Sequence, residues 1–95
     1  MLIKIKTLIV ENHGYRRETF SRDIYVNSSN IISISDYPAI EQLLLAEGSI
    51  SQGDKFSLVK VSHGNKTEDI IAFGTSAMIY SQINEQTTGR RLLND

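Results

Sequence analysis

Isoleucines at positions 3, 5 and 9 alternate with Lys4, Lys6 and Leu8 at the head of the chain. A period of two in β-branched residues marks a half-buried strand, so residues 2–10 are expected to be extended, with Ile3, Ile5 and Ile9 facing a core. Residues 11–18 (ENHGYRRE) replace that alternation with polar side chains around Gly14 and read as a loop. The period resumes over 19–26 (TFSRDIYV) and places Phe20, Ile24 and Val26 on one face. Four turn formers, NSSN at 27–30, precede a third strand, IISIS at 31–35.

At SDYPAIEQLLLAEG the period changes to that of a helix. Asp36 can cap it, Pro38 fits the first turn where its missing N–H costs nothing, and Ile40, Leu43, Leu44 and Glu47 keep helical spacing until Gly48. The spacing predicts a helix over 37–47 with Leu45 off its apolar face, then a loop over 48–54. Two more extended runs follow, KFSLVKVS at 55–62 and EDIIAFG at 68–74, joined by HGNKT with Gly64 and Asn65 as turn formers. Thr75 caps a second short helix over 76–84, on which Ile79 and Ile83 face one way beside Met78. The remainder, 85–95, is polar and is expected to be a flexible tail unless Leu92 and Leu93 find a groove.

The resulting order is β-β-β-α-β-β-α. Strands joined by hairpin-sized links predict an α+β domain, a mainly antiparallel sheet or small open barrel of about five strands with two short helices on one side. Ninety-five residues, 40% of them hydrophobic, suit one domain over 1–95, since a chain of this size cannot divide its core in two.

Charge changes the picture because it is unevenly placed. Residues 1–22 carry Lys4, Lys6, Arg16, Arg17 and Arg22 against Glu11 and Glu18, a net +3. Residues 23–54 carry Asp23, Asp36, Glu41, Glu47 and Asp54 and no Lys or Arg, a net −5, within an overall −1. A basic arm beside an acidic middle offers a polar contact surface of either sign, including contact between unlike patches of two copies. A nucleic-acid reading uses Lys4, Lys6, Arg16, Arg17 and Arg22 on phosphates, with Tyr15 or Phe20 stacking on an unpaired base. Against it stands a sequence pI of about 6.1. A protein-contact reading uses Leu2, Leu8 and Val10, which leave strand one on the face opposite the isoleucines, together with Tyr15, Arg16, Arg17 and Arg22. Alternatively, strand one is central and helices cover both of its faces.

Catalytic motifs are absent: the sequence has no GxSxG, P-loop, GxGxxG or HExxH. His13 and His63 each precede a glycine in an expected turn, where imidazole can bond the local backbone. A metal site would need both loops to bring these histidines together with Glu11 and Glu68 or Asp69, and those residues lack a recognised ligand spacing. Adjacent on a strand, Glu68 and Asp69 point to opposite faces and cannot share one acid–base site. The expectation is a non-enzymatic protein without cofactor, metal or small-molecule substrate. An internal echo links residues 8–20 (LIVENHGYRRETF) and 58–70 (LVKVSHGNKTEDI): His-Gly, a basic residue two after the glycine, and a glutamate two further on. A duplicated hairpin would leave such an echo, and two hairpin loops drawing on one turn alphabet would produce it by chance.

Without cysteine there is no disulfide or thiolate chemistry, and no apolar run reaches the roughly 20 residues a bilayer requires. Lysines inside the first apolar run argue against a signal peptide, so a soluble, cytoplasmic protein is expected, of a bacterium or a phage-infected cell.

The segments IYVNSSNIISISDY and FSLVKVSHGNKTEDIIAFGTSAMIYSQI, within residues 24–83, resemble the strand, strand, hairpin and helix order of LytTR-type DNA-binding domains and of FlbD-like flagellar accessory proteins. Both place an apolar I-x-x-I run before a hairpin that ends in a short helix; here a helix is inserted between those parts. The chain is also similar to small accessory proteins of large tailed phages. These resemblances imply a β-rich regulatory module, with DNA binding in the first case. The reading as a whole is a small regulatory or accessory protein that binds another protein or a second copy of itself, with nucleic-acid binding through residues 13–22 as the alternative.

Overall fold

The isoleucine alternation sets the architecture. A computed structural model describes residues 1–94, with side chains through Gln86. Its strands are β1 (Leu2–His13), β2 (Arg16–Asn27), β3 (Ile31–Asp36), β4 (Phe56–His63) and β5 (Lys66–Phe73), and its helices α1 (Pro38–Ala46) and α2 (Ser76–Asn94). The strands form one open antiparallel sheet in the order β2-β1-β5-β4-β3, the α+β class expected, open rather than closed into a barrel.

The helices lie on opposite faces, which corrects the expectation that they share one. Ile3 and Ile5 of β1, Val59 and Val61 of β4 and Ala72 of β5 pack with Ile79, and Ile83 joins them, so α2 covers this face. Leu8, Phe56, Ile71 and Phe73 occupy the alternate positions of the same strands and pack with Leu44 and Ile40 of α1. Successive side chains of a strand point to opposite sides, so two clusters drawn from odd and even positions must be separate layers. β1 is therefore central and covered on both sides. Alternation along β3 is broken by a bulge between Ile31 and Ser33. The bulge lets Ile31 and Ile34 both face α2 and turns Ile32 outward.

Both hairpins are longer and tighter than the sequence suggests. β1 and β2 pair without interruption from Leu2↔Asn27 to His13↔Arg16, and β4 and β5 from Phe56↔Phe73 to His63↔Lys66. Each turn is two residues, Gly14-Tyr15 and Gly64-Asn65. Both glycines have positive φ, +67° and +62°, while Tyr15 and Asn65 do not. That is the demand of a type II′ hairpin, whose first central residue must be glycine. Residues 11–18 look like a loop because, beyond the core, both faces of a ribbon meet water and hydrophobic alternation has no cause to persist. A strand of twelve residues spans roughly 40 Å, a large part of the molecule's 52 Å long axis.

Helix α1 starts with Pro38 in its first turn but takes no cap from Asp36. It ends in a Schellman motif around Gly48, with Ser49 N–H donating to Leu44 O at 2.8 Å and Gly48 N–H to Leu45 O at 3.0 Å. Asp36 instead serves the other helix. Its Oδ1 accepts the Ser76 N–H at 2.8 Å while the Thr75 hydroxyl accepts the Met78 N–H at 3.2 Å, so a carboxylate of β3 sits on the positive end of α2. Hydrogen bonds from Ser76 hold the Asp36 carboxyl below its ordinary value of 3.8, with Lys55 pulling more weakly in the same direction. A depressed folded-state pKa stabilises above pH 3.8, and the contribution is lost as pH falls through the lowered value. In urea titrations from about pH 6 downward, Asp36→Asn should show a shallower acid loss of stability than the parent chain; parallel curves would refute this role.

α2 continues beyond Asn84, where the spacing expects it to end, and of the expected tail over 85–95 Leu92 and Leu93 lie outside the described side chains. Its third turn is fastened to β1. Lys4 N–H donates to Gln86 Oε1 at 2.9 Å and Gln86 Nε2 donates to Lys4 O at 3.2 Å, so the carboxamide acts as a one-residue strand partner.

Candidate protein-binding site

The Gln86 contact shows which way the main chain of β1 faces. In an antiparallel ladder the N–H and C=O of one residue point to the same side, and successive residues alternate. Lys4 points away from β2, so Lys6, Leu8, Val10 and Asn12 do as well, toward β5. Yet β1 and β5 share a single residue pair, Thr7↔Ala72. Beyond it the two hairpins part. The gap is a cleft of about 300 Å³, lined by Thr7, Ile9 and Arg22 from one hairpin and Glu68 and Ile70 from the other. Behind it, on the opposite face, Leu44 of α1 packs with Leu8 and Phe56.

A physical reason for the parting emerges when the register is continued. Ile9 would meet Ile70, Glu11 would meet Glu68, and His13 would meet Lys66. The isoleucine pair is favourable, but the next pair on that face sets carboxylate against carboxylate, and Glu18 already lies opposite Glu11 on β2. Like charges directly opposite destabilise a ladder. Zipping the hairpins would thus line three carboxylates across one face.

Of the residues expected at a protein contact, Leu2 is 62% exposed and Tyr15, at the ribbon tip, is fully exposed. Leu8 is not available: it is 6% exposed in the α1 cluster, and Val10 packs against the same cluster. Both were expected to be surplus apolar surface, and α1 covers them. Phe20 follows the reverse pattern. It lies on the isoleucine face as expected but is exposed, because the core ends below the rung Ile9↔Phe20.

The basic residues do not form one surface. By alternation Arg16 and Arg22 are on the α2 face, and Lys4, Lys6 and Arg17 on the α1 face. Most have partners: Lys4 Nζ lies 3.5 Å from Asp23, Arg16 Nη2 3.5 Å from Glu18, and Lys6 Nζ 4.9 Å from the centre of the Phe73 ring. Arg17 Nη1 donates to both oxygens of Glu47, at 2.7 and 2.9 Å, and Nε to Asn12 at 3.3 Å, tying the end of α1 to the ribbon. The acidic middle thus neutralises Arg17 within the chain. Arg22 alone of the set has no ion pair or ring contact among the described residues, and it lines the cleft.

The histidines lie beside carboxylates rather than on the backbone expected for them. His13 Nε2 lies 3.3 Å from Glu11 and 3.7 Å from Glu18, and His63 Nε2 2.9 Å from Glu68. The sequence echo therefore has a structural counterpart, a His and a Glu five residues on meeting diagonally across each tight turn on the same face of the sheet. Among the described residues no group of three or more His, Asp and Glu is placed to hold a metal ion, and no helix is long and apolar enough to cross a membrane. Glu47, Gln86 and the cleft itself were not legible from spacing. The one signal for the cleft was Glu11 and Glu68 flanking two similar turns.

Compared with protein-family models, with curated proteins and with solved structures, the chain matches none.

Proposed function

We propose that this chain acts by binding another protein, a second copy of itself included, as a regulatory or accessory factor, and that the projecting end of the β1–β2 hairpin makes the contact. The observation that carries this reading is the ribbon itself. Residues 11–18 are all exposed and lie outside both core clusters, yet paired strands and ion pairs hold them in a defined shape that ends in a fully exposed Tyr15. A rigid aromatic presented on ordered backbone loses little entropy on contact, which is why tyrosine is enriched among residues that dominate interfaces.

The self-associating form is tested by light scattering. The 10.7 kDa chain is expected to scatter with about twice that mass at high micromolar concentration, and Tyr15→Ser to weaken the dimer by about tenfold or more without altering thermal stability. A monomer at millimolar concentration would end that form of the proposal. Equal dimerisation by the two proteins would move the contact away from the ribbon tip.

A further inference from the structure

We infer that the cleft between the two hairpins is a receptor for an extended segment of the partner, added as a strand beside β1, and that the segment presents an apolar residue followed two positions later by a lysine or arginine. This rests on the reading of the chain as a protein-binding module and names the chemistry of what it binds.

The first support is the main chain. Above Thr7↔Ala72, Val10 and Asn12 of β1 direct their N–H and C=O groups into the gap, with no strand partner on that side among the described residues. On β5 the same parity holds. Thr7↔Ala72 lies between Lys6 and Leu8, which point toward β5, so Ile71 and Phe73 point back toward β1, and Asp69 and Thr67 continue into the gap. Open strand edges are the recognition surface of strand addition, in which main-chain bonds supply affinity and alternate side chains specificity. The sheet's outer edges are guarded in the usual ways, β2 by Arg16, Arg17, Arg22 and Asp23 and β3 by its short length and bulge. The inner edges, which carry Glu11 on β1 and Lys66, Glu68 and Asp69 on β5, are left open beyond Thr7↔Ala72.

The second support is charge, and it selects the occupant. On the α2 face an entering residue level with Ile9 and Ile70 has isoleucine on both sides. Two residues further along it stands between Glu11 and Glu68, which would face each other if the hairpins closed in the register of Thr7↔Ala72. A cation there converts an unfavourable carboxylate pair into two favourable cross-strand pairs. His63 now accompanies Glu68, and its side chain, about half exposed, is free to give way. α1 closes the back of the cleft through Leu44, so the segment enters from the α2 face, above the part that α2 covers.

The probes are three nine-residue peptides: one alternating threonine and valine with a single lysine at an inward position, its glutamate counterpart, and the lysine peptide N-methylated along one edge. Amide exchange is read by NMR on the full chain. In the free protein the amides of Val10, Asn12, Thr67 and Asp69 should exchange quickly, and the lysine peptide should slow them. It should bind about tenfold or more tightly than the glutamate peptide, and N-methylation should abolish binding. Glu68→Lys, at an exposed position, should remove that preference and protect the amides of Val10 and Asn12 without peptide, because Glu11 then attracts β5. Protection of these amides in the free parent chain would overturn the inference, as would equal affinity for lysine and glutamate peptides, undiminished binding after N-methylation, or no binding of the lysine peptide at millimolar concentration. Light scattering on Tyr15→Ser judges the ribbon contact independently of these results.

Discussion

Phe56→Ala is expected to cost about 3–5 kcal/mol of folding stability, the usual penalty for truncating a fully buried aromatic. Phe56 opens β4, is 1% exposed, and belongs with Leu8 and Leu44 to the smaller of the two core clusters. Its ring meets that of Phe73 at 5.0 Å between centroids and a tilt of 56°, a favourable edge-weighted geometry. Leu8 and Leu44 are the other buried members of this cluster, and how far they and the partly buried Ile71 and Phe73 close on the vacancy sets the position within the range. A domain of this size has roughly 5–15 kcal/mol in total, so the variant stands near the margin of folding. Urea titration should show a lower midpoint at an unchanged slope. Amide exchange should show α1 opening before the sheet, since Leu44 loses its partner while the α2 cluster stays whole. A loss below about 1 kcal/mol would mean that α1 does not depend on this contact. The exposed Ile32→Ala, by comparison, should change stability by no more than about 0.5 kcal/mol.

The core beneath α2 was legible in the sequence as far as parity reveals it. Ile3, Ile5, Ile24 and Val26 follow the period of two and Ile79 and Ile83 the period of a helix, and the structure packs these residues on one another. Parity does not say what covers the second face. Leu8 and Val10 read as surplus because a strand pattern cannot show that α1, more than thirty residues further along the chain, returns to cover them. The ribbon ends were misread for a related reason. Hydrophobic period reports burial, and where neither face is buried a strand and a loop look alike. The surviving signal was turn chemistry, Gly14 and Gly64 each in the first central position. Asp36 shows the limit of local rules. It stands where a cap for α1 belongs, yet it bonds Ser76, forty residues on, since β3 ends where α2 begins. The candidate site was legible only in pieces: the charged residues and Tyr15 were visible, but the split between the hairpins is a property of register, which a single strand does not display.

Glu41→Ala is expected to cost about 2–3 kcal/mol, a large loss for a surface-type residue, while Glu41→Gln should cost less than about 1 kcal/mol. The carboxylate of Glu41, 16% exposed, lies in the first turn of α1, where negative charge is favoured by the helix end. Its Oε2 accepts the Phe56 N–H at 2.8 Å, and the Phe56 carbonyl in turn accepts the Tyr37 N–H at 3.0 Å. Both main-chain groups of the most buried aromatic are thus satisfied by the entrance to α1, which fixes helix to sheet where the α1 cluster begins. Alanine leaves a buried amide without an acceptor, and the cost is the desolvation of that amide plus the lost charge-assisted bond. Glutamine keeps a carbonyl oxygen at nearly the same place and gives up the negative charge at the helix end and the 3.6 Å pair with Lys55, whose own side chain is mostly in solvent, so each loss is small. Chemical denaturation of the two variants separates the bond from the charge. If Glu41→Gln proved as damaging as Glu41→Ala, the ion pair with Lys55 would be the link between helix and sheet, and the hydrogen bond to Phe56 incidental.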